Sequence, residues 1–358
     1  MLRVCCLTFD RTTNYGSCLQ AYALKTAVDG IETGGEHCSY EMLAYGKIKD
    51  RQKHGKLINK AAYFLVWPFF SGFDRQNMAY ANVSYLADIE QLNERYDAFI
   101  CGSDVIWNPA FTYGSNIFFL KFASKYAFSY AASFGRLSLD QEYISSLEDR
   151  LSNLREISVR EESAAAIINE HTSRHARVVV DPVLLLSAEQ WNKVAAEKTS
   201  GKGYIFVYAT HITDTISKVC DRLSKQTGLR IIRASTNLKN CLKFRTSPCT
   251  PGKWVGLIRD AQYVVTNSYH ATVFSTIYRK DFFTVVGEDK LGVYVRMQDF
   301  LSQFGLENRM ICGADSITLE HVNYEQYNEK IDSLIGESYA YLQNNLDKAC
   351  SEKKQSRG

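Results

Sequence analysis

Short apolar runs of strand length alternate along this chain with amphipathic stretches of helical length, and the series occurs twice. Such alternation builds βαβ units around a mainly parallel sheet. In the first half, strands are expected at residues 3–9, 98–101, 127–131, 157–160 and 178–180, with helices at 17–28, 141–153 and 161–169. A polar, glycine-containing stretch, 198–203, precedes the second series. That series runs strand 204–208, helix 214–227, strand 229–233, helix 253–260, strand 263–266, helix 270–278 and strand 282–286. A last amphipathic stretch, 324–346, reads as a long closing helix. The length of 358 residues exceeds one ordinary core and suits two. The expectation is an α/β chain of two Rossmann-like, doubly wound lobes, over 1–195 and 196–310, with a closing helix and polar tail over 311–358. Ligands of such folds bind outside the carboxyl ends of the strands, in the crevice between lobes. The residues just after each strand are therefore the ones to read for function.

Charge and cysteine usage remove several classes. The formal charge is only +3, which argues against a nucleic-acid partner but leaves room for a few arginines in one cleft. Ten cysteines contain no C-x-x-C pair, so no zinc or other metal site is expected. Free thiols at this density imply a reducing compartment. The chain opens on a strand rather than a signal peptide, and the longest apolar run, 61–70, is broken by Pro68. A cytoplasmic location is expected. Residues 47–70 form a separate insertion, in which Lys47, Lys49, Arg51, Lys53, Lys56 and Lys60 face only Asp50 before an aromatic-rich run begins. The preferred reading is a solvated loop and a helix packed on its own lobe. The other is a peripheral contact with the inner face of a membrane.

Five strand-end clusters carry the chemistry. Asn14-Tyr15-Gly16 follows the first strand, where Asn14 can cap a helix and Gly16 permits close backbone approach. It is not G-x-G-x-x-G, so a dinucleotide site fails here. Gly102-Ser103-Asp104 with Trp107 follows the second. There a hydroxyl, a carboxylate and an aromatic wall could meet a sugar, or Asp104 could cap a helix with Trp107 in the core. Ser133-Phe134-Gly135 ends a third strand in small residues. Arg160 closes a strand ahead of Glu161, well placed either to grip phosphate or carboxylate or to pair with a neighbouring glutamate. Asp181-Pro182 reads as a structural turn. Finally Thr266-Asn267-Ser268-Tyr269-His270 puts polar residues and a histidine at a strand–helix junction. Exposed amides at that helix end make a natural phosphate cradle, where His270 either bonds the phosphate or moves a proton, or is only a satisfied polar residue.

Taken in order, these pieces resemble the polysaccharide pyruvyl transferase family: Asn14-Tyr15-Gly16, Gly102-Ser103-Asp104 with Trp107-Asn108-Pro109, Tyr130 to Gly135, Ser158-Val159-Arg160-Glu161, Asp181-Pro182 and Thr266 to Thr272. The resemblance implies a glycosyltransferase-B-like pair of lobes, phosphoenolpyruvate as donor substrate with no further cofactor, and a pyruvate ketal on a hexose of a surface polysaccharide or its lipid-linked precursor. Some relatives carry Arg-Leu-His where this chain has Ser268-Tyr269-His270, so another cation must serve, with Arg160, Arg296 and Arg309 as candidates. Val105 also stands where many relatives have Gln, and Ala271 replaces a common Gly. On this reading His270, Asp104 and Arg160 are catalytic. Asn267, Ser268, Tyr269, Arg160 and Arg296 hold the donor, and Asn14, Tyr15, Gly16, Ser103 and Trp107 meet the acceptor. The alternatives are a glycosyltransferase using a nucleotide sugar on the same architecture, and a non-catalytic scaffold in glycan assembly.

Overall fold

The computed structural model describes residues 1–48, 57–112, 115–136, 138–198, 203–287 and 294–356. Lys49, Arg51, Lys53 and Lys56 of the basic stretch, and 199–202 of the inter-lobe connection, lie outside them.

The first lobe is built on strands β1 (Leu2–Leu7), β2 (Glu32–Thr33), β3 (Glu36–Leu43), β4 (Tyr80–Ala81), β5 (Ala98–Cys101), β6 (Tyr126–Ser129), β7 (Ile157–Val159) and β8 (Ala176–Val178). Apart from the antiparallel β2–β3 pair, all pairings are parallel. Bridges from Phe128 to Glu156 and Ala132 to Val159 continue the sheet from β6 to β7. The spatial order is therefore β4-β3-β1-β5-β6-β7-β8. This is a doubly wound order that reverses at β1 and opens a crevice at the carboxyl edge there. The second lobe stacks β9 (Tyr204–Tyr208), β10 (Arg230–Ala234), β11 (Tyr263–Thr266), β12 (Asp281–Val285) and β13 (Met310–Ile311) in the order β10-β9-β11-β12-β13, all parallel. Its inner strands β9, β11 and β12 are nearly continuous buried runs, as helices on both faces of a parallel sheet require.

Strand β3 escaped the sequence reading. Its buried Cys38, Tyr40, Met42 and Leu43 are interrupted by His37, Ser39 and Glu41, so no apolar run marks it. The helix expected at 141–153 breaks into Gln141–Ser145 and Leu147–Leu151.

An aromatic seam joins the lobes. Tyr15 stacks on Trp254 with ring centroids 5.2 Å apart, Trp254 meets Phe274 at 5.3 Å, and Phe274 meets Trp191 at 4.8 Å. Tyr15, Trp191, Trp254 and Phe274 are fully buried, each contributing about 1.5–3 kcal/mol by leaving water. The final helix, Asn328–Gln355, does not stay with the second lobe but returns to the first. Tyr341 donates to the carbonyl of Ser129 (3.1 Å), Ser338 accepts from the amide of Val180 (2.9 Å), and Lys353 Nζ reaches the Met1 carbonyl and Glu36, both at 2.7 Å.

Candidate active site between the lobes

The first lobe supplies a buried arginine among carboxylates. Arg160, the residue after β7, has a side chain only 1% exposed. Its Nη1 donates to Asp181 Oδ2 (2.7 Å), its Nε lies 3.6 Å from Glu161 Oε2, and its guanidinium covers the Tyr269 ring at 4.4 Å. Among the described residues its Nε and Nη2 are buried without a hydrogen-bond partner. A buried, unpaired guanidinium N–H is costly, and an anionic group is the partner its chemistry asks for. Burial alone would lower the Arg160 pKa, but Tyr269, Asp181, Glu161 and Asp104 together raise it, so the cation persists. Glu161 is engaged elsewhere: its Oε1 accepts from the Ser133 hydroxyl and from the Gly135 amide at 3.3 Å.

Asp104 sits past β5 in the left-handed region, φ 75°, an uncommon conformation for a residue with a side chain. Its Oδ2 accepts from the Ser17 hydroxyl in the first turn of the Tyr15–Asp29 helix, and its Oδ1 from the Val105 amide (2.8 Å). It is buried, and its charge acts on both Arg160 and Arg296.

From the second lobe, β11 ends at Thr266 and the helix Tyr269–Ile277 begins with Ser268 in the capping position, but no side chain caps it. Neither polar residue at this junction, Asn267 or Ser268, caps the helix. Asn267 ties a neighbouring loop, accepting from the Thr210 amide (2.9 Å) and donating to the His211 carbonyl (3.0 Å), while Ser268 is partly exposed. The first-turn amides of this helix thus keep an anion-attracting end. His270 lies in that turn with its Nε2 3.3 Å from Asp181 Oδ2, though out of line for a hydrogen bond. Burial would raise the Asp181 pKa, but His270 and then Arg160 hold it well below the usual carboxylate range. Tyr269 has Arg160 on one side and Arg296 5.9 Å away. Among the described residues the Arg296 Nε is buried without a hydrogen-bond partner, and burial followed by the charge of Arg160 lowers its pKa.

Gly16 closes the arrangement. A Cβ built there would stand 2.0 Å from His270 Nδ1, so the histidine of one lobe rests directly on the backbone of the other. Arg160, Asp181, Tyr269, His270 and Arg296 therefore share one enclosed junction, with Asp104 close enough to bias its charges.

Other expected residues lie elsewhere. Trp107 is fully buried, donating its Nε1 N–H to the Phe118 carbonyl (3.0 Å) and stacking on Phe119, so it is a core residue and not a sugar-facing wall. Tyr15 does not line an open cleft. Its hydroxyl donates to the Cys249 carbonyl and accepts from the Cys249 amide, each at 2.9 Å. Asn14 is exposed and caps its helix, accepting from the Ser17 amide at 3.2 Å. Ser103 is buried near this edge with its Oγ unpartnered. Arg309 precedes β13, where its guanidinium lies 5.9 Å from the Phe283 ring and its Nη2 donates to the Glu320 carbonyl (2.8 Å), whereas Arg160 and Arg296 both lie over Tyr269. Asp181, read as part of a structural turn, proves to be the carboxylate shared by Arg160 and His270. Its position just past a strand at the same edge was the available signal.

Residues 14–289 match the family described as polysaccharide pyruvyl transferase. The chain belongs to this family. The matched span takes in Gly16, Asp104, Arg160, Asp181, Tyr269 and His270, and stops short of Arg296. No curated protein matches the chain in sequence. Among solved structures, S. aureus MnaA with UDP is similar at TM-score 0.53 and 11% identity, over 94% of this chain and 90% of that one. UDP-N-acetylglucosamine 2-epimerase from Rickettsia bellii is similar at 0.52 and 14%, over 98% of each chain. The Neisseria meningitidis UDP-GlcNAc 2-epimerase, bound to UDP-GlcNAc, follows at 0.51 and 11%, over 97% and 100%. These likenesses establish the fold of this family member, a glycosyltransferase-B-like pair of α/β lobes.

Proposed function

We propose that the protein transfers the pyruvyl group of phosphoenolpyruvate to a hexose of a surface polysaccharide or its lipid-linked precursor, at the cytoplasmic face of the membrane. The observation that supports this reading is that, among the described residues, the Nε and Nη2 of buried Arg160 have no hydrogen-bond partner, beside His270 and a helix end that Ser268 does not cap. The donor bears a phosphate and a carboxylate, and two guanidinium groups flanking Tyr269 suit such a pair. In the reaction the donor methylene takes a proton, leaving an oxocarbenium-like centre at the adjacent carbon. One sugar hydroxyl adds there, the C–O bond to phosphate breaks, and a second hydroxyl closes the ketal. Of the two hydroxyl protons released, one balances that gained by the methyl group and the other leaves with phosphate. His270 is the group that moves a proton, Arg160 and Arg296 hold the anions, and Asp104 orients a hydroxyl. Asp181 keeps His270 and Arg160 in register.

The test is incubation with phosphoenolpyruvate and a panel of lipid-linked and synthetic glycosides, reading phosphate release and the mass gain of a ketal. His270→Ala and Arg160→Met should each lower turnover by about 10²-fold or more. Heat stabilisation by a sugar nucleotide, together with no phosphate release from any acceptor, would transfer the protein to the nucleotide-sugar reading.

A further inference from the structure

The helix Leu57–Asn77 has two apolar faces, and among the described residues only the inner one is covered. Its inner face buries Val66, Phe70 and Phe73, with the Phe70 ring 4.9 Å from that of Tyr15. Its outer face leaves Phe64 71% exposed, Leu65 62% and Phe69 36%, with Pro68 exposed between them. These positions fall on one side of a helix, as a stripe. Phe111 and Leu242 are also strongly exposed, but each stands apart from this stripe in the chain.

Positive charge accompanies the stripe. Lys47 and Arg75 are exposed, and both act with Arg11 on Asp74, near the carboxyl end of the same helix. Six cations against one carboxylate occupy residues 47–60 of the sequence that leads into it. The helix is not long and apolar enough to cross a bilayer. Exposed aromatic and aliphatic side chains flanked by lysine and arginine are the combination that lies in the headgroup region of an anionic membrane.

We infer that the outer face of this helix seats the molecule on an anionic lipid surface. The same helix touches Pro251–Asp260 of the second lobe, and its Phe70 packs on Tyr15, which precedes the Gly16 that backs His270. Docking there sets the junction of the lobes beside the membrane, where a lipid-linked acceptor resides. Only this last step rests on the pyruvyl-transfer reading.

Flotation with vesicles of phosphatidylcholine, with and without phosphatidylglycerol, tests it on the full chain. The wild type should float with the anionic vesicles and remain behind with the neutral ones, and added salt should release it. Lys47→Ala should weaken binding about fivefold. Phe64→Glu with Leu65→Glu should abolish it while leaving thermal stability and turnover of a soluble glycoside unchanged. Equal binding by wild type and the double variant, or none by the wild type, would overturn the inference. So would conversion of a wild-type dimer to a monomer by the double variant, since the face would then be a seam between copies. Failure of turnover on soluble glycosides would count against pyruvyl transfer alone, because flotation needs no donor.

Discussion

At Gly16 a single methyl group would occupy the space of the His270 ring. Gly16→Ala should therefore displace the histidine by a sizeable fraction of an ångström and lower turnover by about 10²-fold, with overpacking costing about 1–3 kcal/mol. Steady-state kinetics beside a thermal melt separate the two effects. Asp181→Asn removes the carboxylate that Arg160 and His270 share. Leaving Arg160 partly uncompensated in the interior should cost about 3–5 kcal/mol at neutral pH. The sign with pH follows from the depressed Asp181 pKa. Its stabilisation is fully present above the ordinary carboxylate range near 4 and is lost as pH falls towards the folded-state value. Urea denaturation at neutral and acid pH should show wild type and variant converging in acid; a constant gap would reject the charge-based account. Arg160 and His270 were legible because the first directly follows an apolar strand, the second lies in the first turn of the helix after one, and each carries a charge or a proton. Asp181 was not, because Asp-Pro describes a turn equally well and its partners are 21 residues away and in the other lobe.

Among the elements, the final helix joins the ends of the chain. Leu346 is fully buried in it, and Tyr341 and Ser338 bond to the strand region of the first lobe. Leu346→Ala should cost about 2–5 kcal/mol, read as a lower denaturation midpoint for the whole molecule and not for the second lobe alone. The amphipathic pattern at 324–346 announced a helix, and its carboxyl end extends to Gln355. Which lobe it would cover could not be read, since an apolar stripe names no partner. Strand β3 carries a different signal: Cys38, Tyr40 and Met42 alternate with Ser39 and Glu41 at period two, the mark of a half-buried strand and not of a continuous apolar run.

Across the whole molecule, the junction is shut. The side chains of His270 and Arg160 are 8% and 1% exposed, so on the pyruvyl-transfer reading the lobes must part to admit a donor. The Tyr15 hydroxyl holds both the amide and the carbonyl of Cys249 across the seam. Tyr15→Phe should weaken the closed form by about 1–3 kcal/mol, raising the KM for donor more than it lowers kcat. Small-angle scattering should show a larger radius of gyration; an unchanged radius with unchanged KM would show that the clasp has no part in closure. The two-lobed α/β class, the order of the motifs and the family were in the sequence itself, because apolar periodicity and residues at strand ends are local properties of the chain. Tertiary structure alone decided that Gly16 faces His270, that Arg160 and His270 share Asp181, that Trp107 and Tyr15 are interior, and that Arg309 turns to Phe283 and Glu320. Those facts depend on how two separately wound sheets meet, and no short segment carries that information.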